Sequence, residues 1–276
     1  MDWSRFFEDT VDEIRRKTVP LLGSVEAGVV LGRGAGGDRT RHIDAVAEEV
    51  VIAAIRAAGL TCTLVSEESG STAFGDDPTD FVVLDGIDGT TNALRNIPFT
   101  AVSIAHADGS RLSDVDVGFV VDLARGVAYT ARKGGGAYID DRPAIPSAET
   151  TLRRALLSVE LSFPRRQRRR ITHLLPLLSE AGKLRHLGST ALELCYVATG
   201  SLDAFVDVRS LTRAVDIAAA TLILREAGGL IVDPHGAPLD MKLGASERAS
   251  LVAAGNYRLC TEILRQLPHP PSQNIF

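Results

Sequence analysis

Two aspartates follow the apolar run FVV, in the stretch LDGIDGTTN at residues 84–92. Asp85 and Asp88 lie three residues apart, and each is followed by a glycine, which permits a tight backbone. Carboxylates at this spacing would hold two divalent cations about 3.5–4 Å apart, as two-metal phosphoryl chemistry requires. Gly89 and Thr90 then open a predicted helical turn, whose free backbone N–H groups suit a bound phosphate. The stretch therefore predicts a site for metal ions and a phosphate.

Three further acidic groups stand at the ends of predicted elements. Asp38 and Asp44 flank the start of the second helix, Glu67 and Glu68 follow a strand, and Asp216 lies near the start of an almost wholly apolar helix. A buried carboxylate is costly without a cation, so Asp216 would pair with an arginine, cap its helix or bind a metal. Glu67 and Glu68 would otherwise be acids of a solvated loop. A magnesium site explains all these positions together, because Mg²⁺ prefers carboxylate, water and phosphate oxygens.

The predicted elements of the first half place these carboxylates in an α+β layout. Apolar residues at helical spacing predict helices over 2–18 and 41–58. Apolar runs at 61–65, 81–85 and 100–107 predict buried strands, and a hairpin follows them. Helices followed by antiparallel strands are typical of the α+β class rather than of a regular βαβ series.

The second half mixes predicted strands and helices. Strands are predicted over 155–161, 202–208, 230–233 and 249–255, and helices within 165–182 and over 189–200, 212–229 and 256–267. A boundary near 145–153 predicts two subdomains, which are residues 1–148 with most of the metal ligands and residues 149–276 with Asp216 and the specificity residues. The proline-rich tail at 269–276 is predicted to be frayed.

The composition excludes several classes of protein. The 276 residues are 45% hydrophobic and 24% charged, as in globular proteins, and a formal net charge of -5 provides no global basic field for nucleic acid. No apolar run is long enough for a membrane span, and no secretory signal is recognisable. Three scattered cysteines (Cys62, Cys195 and Cys260) fit a reducing compartment better than a disulfide or zinc framework. We therefore expect a soluble cytoplasmic protein that binds neither nucleic acid nor membrane.

Two segments give only weak signals. The glycine-rich segment 32–37 predicts a mobile loop, and a helix precedes it where a dinucleotide-binding fold needs a strand. The run PRRQRRR at 164–170 predicts a solvated helix start. It has no aromatic platform nearby for nucleic acid, and it would alternatively contribute to the phosphate pocket of a neighbouring subunit.

Three motifs in order resemble the inositol monophosphatase superfamily, a group of Mg²⁺-dependent, lithium-sensitive phosphatases that includes fructose-1,6-bisphosphatases and nucleotide bisphosphate phosphatases. DGIDGTTN at 85–92 resembles the signature D-P-(I/L)-D-G-T-x-N, and SEES at 66–69 resembles the Glu-Glu element. VDIAAA at 215–220 resembles W-D-x-A-A-G. The stretches 188–205 and 225–236 are also similar to the family, so the resemblance covers nearly the whole chain.

The resemblance implies a layered α-β-α-β-α sandwich, a homodimer or homotetramer, and a site for two or three Mg²⁺ ions, with Mn²⁺ or Ca²⁺ able to substitute in binding. Carried over to this sequence, Glu67, Asp85 and the Ile87 carbonyl would bind the first metal. Asp85, Asp88 and Asp216 would bind the second, and Glu67 would help to hold a weaker third ion. A metal-bound water would then attack phosphorus in line, and no covalent phosphoenzyme would form.

The resemblance also implies roles in catalysis and substrate binding. Thr90 and Asp44, together with Glu67, match the catalytic positions around the attacking water. Gly89, Thr90 and Ser189 would bind the substrate. Additional expected members of the site are Asp38, Glu68 and Arg213.

Four positions depart from the family pattern. Gly86 replaces a proline, which is expected to loosen the turn, while Val215 and Ala220 are packing changes. Arg209 stands where animal inositol monophosphatases have a glutamate that meets inositol hydroxyls. An arginine there would grip a second phosphate bidentately, with Arg185 and Arg213 as helpers, unless these arginines are solvated surface residues.

A second phosphate points to fructose 1,6-bisphosphate, and the motif set resembles the archaeal-type branch that also acts on inositol phosphates. We therefore expect a sugar-phosphate phosphatase with a role in gluconeogenesis. A nucleotide phosphatase acting on 3′-phosphoadenosine 5′-phosphate or NADP is the enzymatic alternative, although an aromatic content of 5% offers no obvious stacking platform. The non-enzymatic alternative is a regulatory protein on the same scaffold, which the complete ligand set disfavours.

Overall fold

The computed structural model describes residues 1–268, so the tail predicted to be frayed lies outside the described residues. The α-helices are α1 (Trp3–Thr18), α2 (His42–Ala57), α3 (Thr90–Leu94), α4 (Leu175–Glu180), α5 (Thr190–Ala198), α6 (Ala214–Glu226) and α7 (Tyr257–Gln266). The first eight strands are β1 (Cys62–Ser66), β2 (Gly70–Phe74), β3 (Phe81–Asp88), β4 (Ala101–Ala107), β5 (Val115–Asp122), β6 (Ala128–Arg132), β7 (Gly136–Ile139) and β8 (Arg142–Pro143). The other five are β9 (Leu156–Val159), β10 (Lys183–Arg185), β11 (Ala204–Arg213), β12 (Leu230–Val232) and β13 (Arg248–Ala254).

The strands form two sheets. The first has eight strands in the order β2-β1-β3-β4-β5-β6-β7-β8, and the second has five in the order β10-β9-β11-β13-β12. In the first sheet β1 and β3 are parallel, and the other neighbours are antiparallel. The prediction of antiparallel strands is therefore wrong for this one pair, because β2 folds back along the outer edge of β1 and leaves β3 on its other side.

Helices cover both faces of each sheet. Helices α1 and α2 pack on the outer face of the first sheet, and α5 and α6 lie between the two sheets. Helices α4 and α7 cover the outer face of the second sheet. Adjacent residues of β3 point to opposite faces and both faces are buried, which is why the run FVVL is continuously apolar. The predicted layered α-β-α-β-α sandwich is confirmed.

The predicted elements differ from the structure at their ends and edges. Strands β2 and β10 were not predicted, and both are edge strands with few buried side chains. The helix predicted over 212–229 begins at Ala214, since β11 continues through a bulge between Asp207 and Thr212. The arginine-rich run forms the 3₁₀ segment Arg165–Leu174 before α4.

The eight-stranded sheet ends at Pro143 and the five-stranded sheet begins at Leu156. The predicted division between residues 148 and 149 lies in this gap, and it stays a prediction because α5 and α6 pack against both sheets. Among the helices of residues 1–268, none combines the length and the apolar character that crossing a membrane requires.

Candidate active site

A cavity of about 510 Å³ opens where the ends of β1 and β3 meet the first turn of α6. Its lining is rich in charge, with acidic residues outnumbering arginines. The acidic residues are Asp38, Asp44, Glu67, Glu68, Asp85, Asp88 and Asp216, and the arginines are Arg39, Arg41 and Arg213. The cavity therefore carries an excess of negative charge that a bound cation would balance.

Three of these carboxylates form the tightest cluster. One oxygen each of Glu67, Asp85 and Asp216 lies within 4.8 Å of the other two. They come from the turn after β1, from β3 and from α6, so the fold brings together residues that are far apart in sequence. Carboxylate oxygens converging at this spacing are the donor set of a hard cation such as Mg²⁺, and the site fits such an ion.

An irregularity in β3 turns two aspartates toward the cavity. Its pairing with β4 shifts between Asp85 and Asp88, so that the two residues between them have no ladder partner. The Asp85 carboxylate accepts a hydrogen bond from the Ile87 N–H at 3.2 Å. The Thr90 hydroxyl donates to the Ile87 carbonyl at 3.1 Å, which keeps that carbonyl at the cavity wall. The i, i+3 spacing therefore corresponds to a bulge that presents both carboxylates on one side.

Glycine at position 86 lets helix α2 lie close to β3. A Cβ at Gly86 would lie 2.9 Å from the Ala47 Cβ, closer than side chains pack. This contact concerns the space beside Gly86 and not the freedom of its backbone, so the expectation that glycine loosens the turn stays a prediction. The missing side chain lets α2 approach β3, and α2 carries Asp44.

Asp44 and Thr90 lie together, as the resemblance implied. Asp44 is the third residue of α2, and its Oδ2 accepts the Arg41 N–H at 3.1 Å. Its Oδ1 lies 3.4 Å from the Thr90 hydroxyl. Burial, reinforced by the nearby charge of Glu68, raises the pKa of Asp44 to about 7. Asp44 is thus suited to exchange a proton near neutral pH.

Burial also raises the pKa of the clustered carboxylates. For Asp85 burial is the main cause and repulsion from Asp88 adds to it, so that its pKa lies well above the usual range. Burial likewise raises the pKa of Glu67 and of Asp216, and Arg213 opposes both shifts. These directions follow from negative charges held close together away from water, which is the electrostatic condition that favours cation binding.

Asp88, the last residue of β3, is hydrogen-bonded to Ser189 and Ala191 at the start of α5. The Asp88 Oδ2 accepts hydrogen bonds from the Ser189 hydroxyl and from the Ala191 N–H, both at 2.6 Å. Ser189 is buried and does not line the cavity, whereas its neighbour Gly188 does. The Ser189 hydroxyl is thus engaged in holding Asp88, and a contact between Ser189 and substrate stays a prediction.

Arg209 and Arg185 do not reach the cavity, contrary to the predicted second-phosphate site. The Arg209 Nη2 lies 2.8 Å from Asp207 Oδ2, its Nε donates to Asp207 Oδ1 at 3.0 Å, and its Nη1 lies 3.2 Å from Glu160. Arg185 is exposed and donates to the Leu184 carbonyl. The carboxylates beside Arg209 satisfy it, a pairing that the sequence does not reveal.

The glycine-rich segment lies against the Glu-Glu turn. The Ala35 and Gly36 N–H groups donate to the Glu68 and Glu67 carbonyls at 2.9 and 2.8 Å. A Cβ at Gly34 would lie 2.7 Å from the Glu68 carboxylate, so glycine permits the close approach. The loop thereby brings Asp38 and Arg39 to the cavity. Sequence reasoning missed Arg39 and Arg41, and their position between Asp38 and Asp44 is the signal that would have found them.

Comparison with known proteins identifies the family. A family model described as the inositol monophosphatase family matches residues 21–269. A relative from Methanothermobacter thermautotrophicus, named fructose-1,6-bisphosphatase/inositol-1-monophosphatase, is 39% identical over 274 residues, which cover 96% of this chain and 96% of the relative. The chain belongs to the inositol monophosphatase family.

A solved structure and a further relative are also similar to this chain. A solved structure of an inositol monophosphatase–fructose 1,6-bisphosphatase superposes with a TM-score of 0.85 at 30% identity, covering 97% of this chain and 100% of the other. A relative from Methanococcus maripaludis, named bifunctional NADP phosphatase/NAD kinase, is 32% identical over 280 residues. The match covers 92% of this chain and 47% of that relative.

Proposed function

We propose that this protein is a Mg²⁺-dependent phosphomonoesterase that hydrolyses sugar phosphates, with fructose 1,6-bisphosphate and inositol 1-phosphate as its expected substrates. The observation that carries the proposal is the convergence of the Glu67, Asp85 and Asp216 oxygens within 4.8 Å, in the cavity that Thr90 and Asp44 also line. Similarity to a relative named fructose-1,6-bisphosphatase/inositol-1-monophosphatase supports the same class of reaction. The two alternatives, a nucleotide phosphatase and a regulatory protein, would use the same fold. They would differ from a sugar phosphatase in the other residues that line the cavity.

Each acidic residue has a proposed task in holding the ions. Glu67, Asp85 and Asp216 would bind Mg²⁺, supported by Asp88 and the Ile87 carbonyl, and Mn²⁺ or Ca²⁺ would substitute in binding. When bound, the ions lower the pKa of water and neutralise the charge that develops on the phosphate and its leaving group. Two or three ions fit the number of carboxylates that line the cavity.

The chain itself would position the attacking water and move its proton. The Thr90 hydroxyl donates to the Ile87 carbonyl and lies 3.4 Å from Asp44. A water bound between Thr90 and Asp44 would be oriented by the hydroxyl and would pass its proton to the Asp44 carboxylate. Gly89 and Thr90 would bind the phosphate through their backbone N–H groups, and Glu68 and Asp38 would support the adjoining loop.

The sugar would enter beside the arginines of the cavity. Arg39 and Arg41 line it and are better placed than Arg209 or Arg185 to meet a second phosphate, whereas Arg213, which also lines it, is paired with Glu67 and Asp38. The Arg41 Nη1 donates to the Gly28 carbonyl at 3.0 Å, which fixes its guanidinium at the rim. A role for Arg209 at a second phosphate would require it to leave Asp207 and Glu160.

The NADP phosphatase relative supports the nucleotide alternative less strongly. Within residues 1–268, no phenylalanine, tyrosine or tryptophan lines the cavity, so an adenine ring would find no stacking partner there. A regulatory protein without turnover would not require Asp44 and Thr90 to lie together beside the metal ligands. A role in gluconeogenesis, lithium sensitivity and assembly as a homodimer or homotetramer complete the proposal and rest on the family resemblance. The proposed cytoplasmic location rests on the composition and the scattered cysteines.

A substrate panel tests the proposal. Phosphate release would be measured on fructose 1,6-bisphosphate, inositol 1-phosphate, NADP and 3′-phosphoadenosine 5′-phosphate, each with Mg²⁺ and with and without Li⁺. We expect the two sugar phosphates to be hydrolysed with the highest kcat/KM and Li⁺ to inhibit. Preference for a nucleotide would select the alternative, and no release from any ester would favour the regulatory protein.

A further inference from the structure

The guanidinium of Arg213 makes contacts that the proposed reaction does not use. Arg213 is the last residue of β11, directly before α6, and its side chain is 14% exposed. Its Nη1 lies 2.7 Å from Glu67 Oε1, and its Nη2 donates to Asp38. Its own N–H donates to Asp216 at 2.8 Å, which ties the arginine to the first turn of α6. Arg213 therefore lies inside the carboxylate cluster and is anchored there.

The carboxylate that Arg213 contacts is also a member of the proposed metal site. Glu67 contributes one of the three oxygens that lie within 4.8 Å of one another. A divalent cation and the guanidinium would thus both bind the Glu67 carboxylate, and they would also repel each other as like charges. At separations of a few ångströms in a site partly shielded from water, both effects are larger than on an open surface.

The glycine-rich loop encloses this ion pair. A Cβ at Gly36 would lie 3.1 Å from the Glu67 Cγ and 3.3 Å from the Arg213 Nε, so the loop backbone rests directly on both side chains. The Arg248 Nη2 donates to the Gly36 carbonyl at 2.9 Å and holds the loop there. Because the loop limits access of water and salt, the ion pair is screened less than an exposed pair would be.

We propose that Arg213 competes with the metal ion for Glu67, so that it sets the Mg²⁺ affinity of the site and stabilises the carboxylate cluster when Mg²⁺ is withdrawn. The inference rests on the proposed metal site, though not on turnover. Coupling between two bound charges is reciprocal. If Arg213 lowers the affinity for the metal, a bound metal weakens the Arg213–Glu67 ion pair by the same free energy.

Arg39 provides a matched control in the same cavity. It carries the same charge and lines the same cavity, but it is exposed and, within residues 1–268, no carboxylate oxygen lies within 4 Å of its guanidinium. Removing the charge of Arg39 therefore tests the general field of the cavity, whereas removing that of Arg213 tests competition for Glu67.

Calorimetric titration of Mg²⁺ into the full chain after EDTA treatment and desalting tests the proposal. We expect Arg213→Gln to bind Mg²⁺ at least about fivefold more tightly than the wild type, within the usual range of coupling between sites. Arg39→Gln should change the affinity by less than about twofold, because exposed charges are screened by salt. Unchanged or weaker binding by Arg213→Gln, or an equal gain in Arg39→Gln, would overturn the proposal.

Thermal unfolding gives a second readout. The difference between the melting temperatures in saturating Mg²⁺ and in EDTA should be larger for Arg213→Gln than for the wild type, and a variant that folds only with Mg²⁺ is the extreme form of this result. Arg213→Lys keeps the charge and should retain a Mg²⁺ affinity near the wild-type value even if Arg213→Gln fails to fold. A wild type that binds no Mg²⁺ would refute the proposed metal site, whereas wild-type binding without tightening in Arg213→Gln would refute the competition alone.

Discussion

Two arginines four residues apart on β11 meet buried carboxylates in opposite ways. Arg209 contacts both oxygens of Asp207, the Thr212 hydroxyl donates to the same carboxylate at 2.5 Å, and Glu160 lies on the other side of the guanidinium. Arg213 contacts a single oxygen of Glu67, in a cavity where acidic residues outnumber arginines. Both oxygens of Asp207 thus have partners, whereas Glu67 shares one arginine with a cluster of several carboxylates.

The comparison shows how a buried carboxylate with a structural role differs from one with a functional role. A buried carboxylate is tolerated when an arginine and hydrogen bonds satisfy both of its oxygens, as at Asp207. Where carboxylates converge without enough arginines, the fold has kept an unfavourable arrangement that a metal ion would relieve. The function of a buried acid is therefore indicated by the number of cations around it rather than by its burial alone.

Asp85→Asn should produce the largest effect in the incomplete cluster. Loss of a central ligand and charge should lower kcat/KM for a sugar phosphate by on the order of 10²–10³-fold, the range seen when one preorganised electrostatic group is removed. The melting temperature in EDTA should not fall, because the substitution removes one of several mutually repelling carboxylates. Phosphate release and thermal unfolding on the same sample check both statements. A variant with wild-type activity and a lower melting temperature would assign Asp85 a structural role.

Asp207→Asn should show the reverse pattern. The substitution removes the carboxylate that contacts Arg209 through both oxygens and leaves Glu160 as the remaining partner at 3.2 Å. It should cost about 3 kcal/mol in free energy of unfolding, the lower end of the range for breaking a buried ion pair. Activity per folded molecule should stay near the wild-type value, since Asp207 does not line the cavity. Urea unfolding measures the first quantity, and Asp240→Asn is the control, because its ion pair with Arg111 is partly exposed and should contribute less than about 1 kcal/mol. Equal losses in the two variants would contradict the distinction.

Glu193 extends the comparison to a buried acid with no arginine nitrogen within 4 Å among residues 1–268. Its Oε1 accepts hydrogen bonds from the Ser158 hydroxyl and the Leu187 N–H, and burial raises its pKa to about 8. The folded state therefore binds a proton more tightly than the unfolded state does. Its contribution to stability is complete below pH 4.5, the ordinary value, and is lost as the pH rises toward 8.

Glu193→Gln should remove that pH dependence. Relative to the variant, the wild type should lose about 1 kcal/mol per pH unit between pH 5 and 8, because one pKa unit corresponds to about 1.4 kcal/mol. Urea unfolding of both proteins at several pH values gives this difference and cancels the contribution of all other titrating groups. Parallel curves for the two proteins would show that Glu193 is not held neutral.

Gly86→Ala should give the smallest effect, through the approach of α2 to β3. The added methyl group meets Ala47 at 2.9 Å and should cost about 1–3 kcal/mol of stability while displacing Asp44 from Thr90. The double variant Gly86→Ala/Ala47→Gly should recover most of the lost activity because it restores the space. If Gly86→Ala keeps full stability and activity, the close approach of the helix is not required.

The helices and strands of the fold could be predicted because their signals are local, whereas their stacking into layers was implied by the resemblance to the family. Helical spacing over 41–58 and continuous apolar runs such as FVVL indicate which faces are buried, and the structure confirms the helix and the strand that they predict. The parallel pairing of β1 with β3 depends on the intervening strand β2, which folds back along the other edge of β1. Strand β2 could not be predicted, because few of its side chains are buried. Pairing order depends on contacts between distant segments, which a pattern along the chain does not contain.

The carboxylates of the site could be predicted, but their arginine partners could not. Spacing and residue type were enough to select Asp85 and Asp216, whose convergence the structure shows. The same reasoning placed Arg209 at a second phosphate, although Asp207 lies only two residues before it. A guanidinium binds the carboxylate that the fold brings nearest, and the bulge in β11 turns Arg209 back onto its own strand. Residue type shows that a charge is available, and only the three-dimensional contacts show whether it is already paired.

Phosphate release from fructose 1,6-bisphosphate as a function of Mg²⁺ concentration, on protein first treated with EDTA, tests the central claim most directly. The account predicts no release in EDTA and recovery on addition of Mg²⁺. It also predicts that Asp85→Asn stays on the order of 10²–10³-fold slower than the wild type at every concentration, while folded Asp207→Asn reaches the wild-type rate. Release in EDTA at the rate seen with Mg²⁺, or an Asp85→Asn variant as active as the wild type, would contradict a metal-dependent phosphatase built on the cluster of Glu67, Asp85 and Asp216.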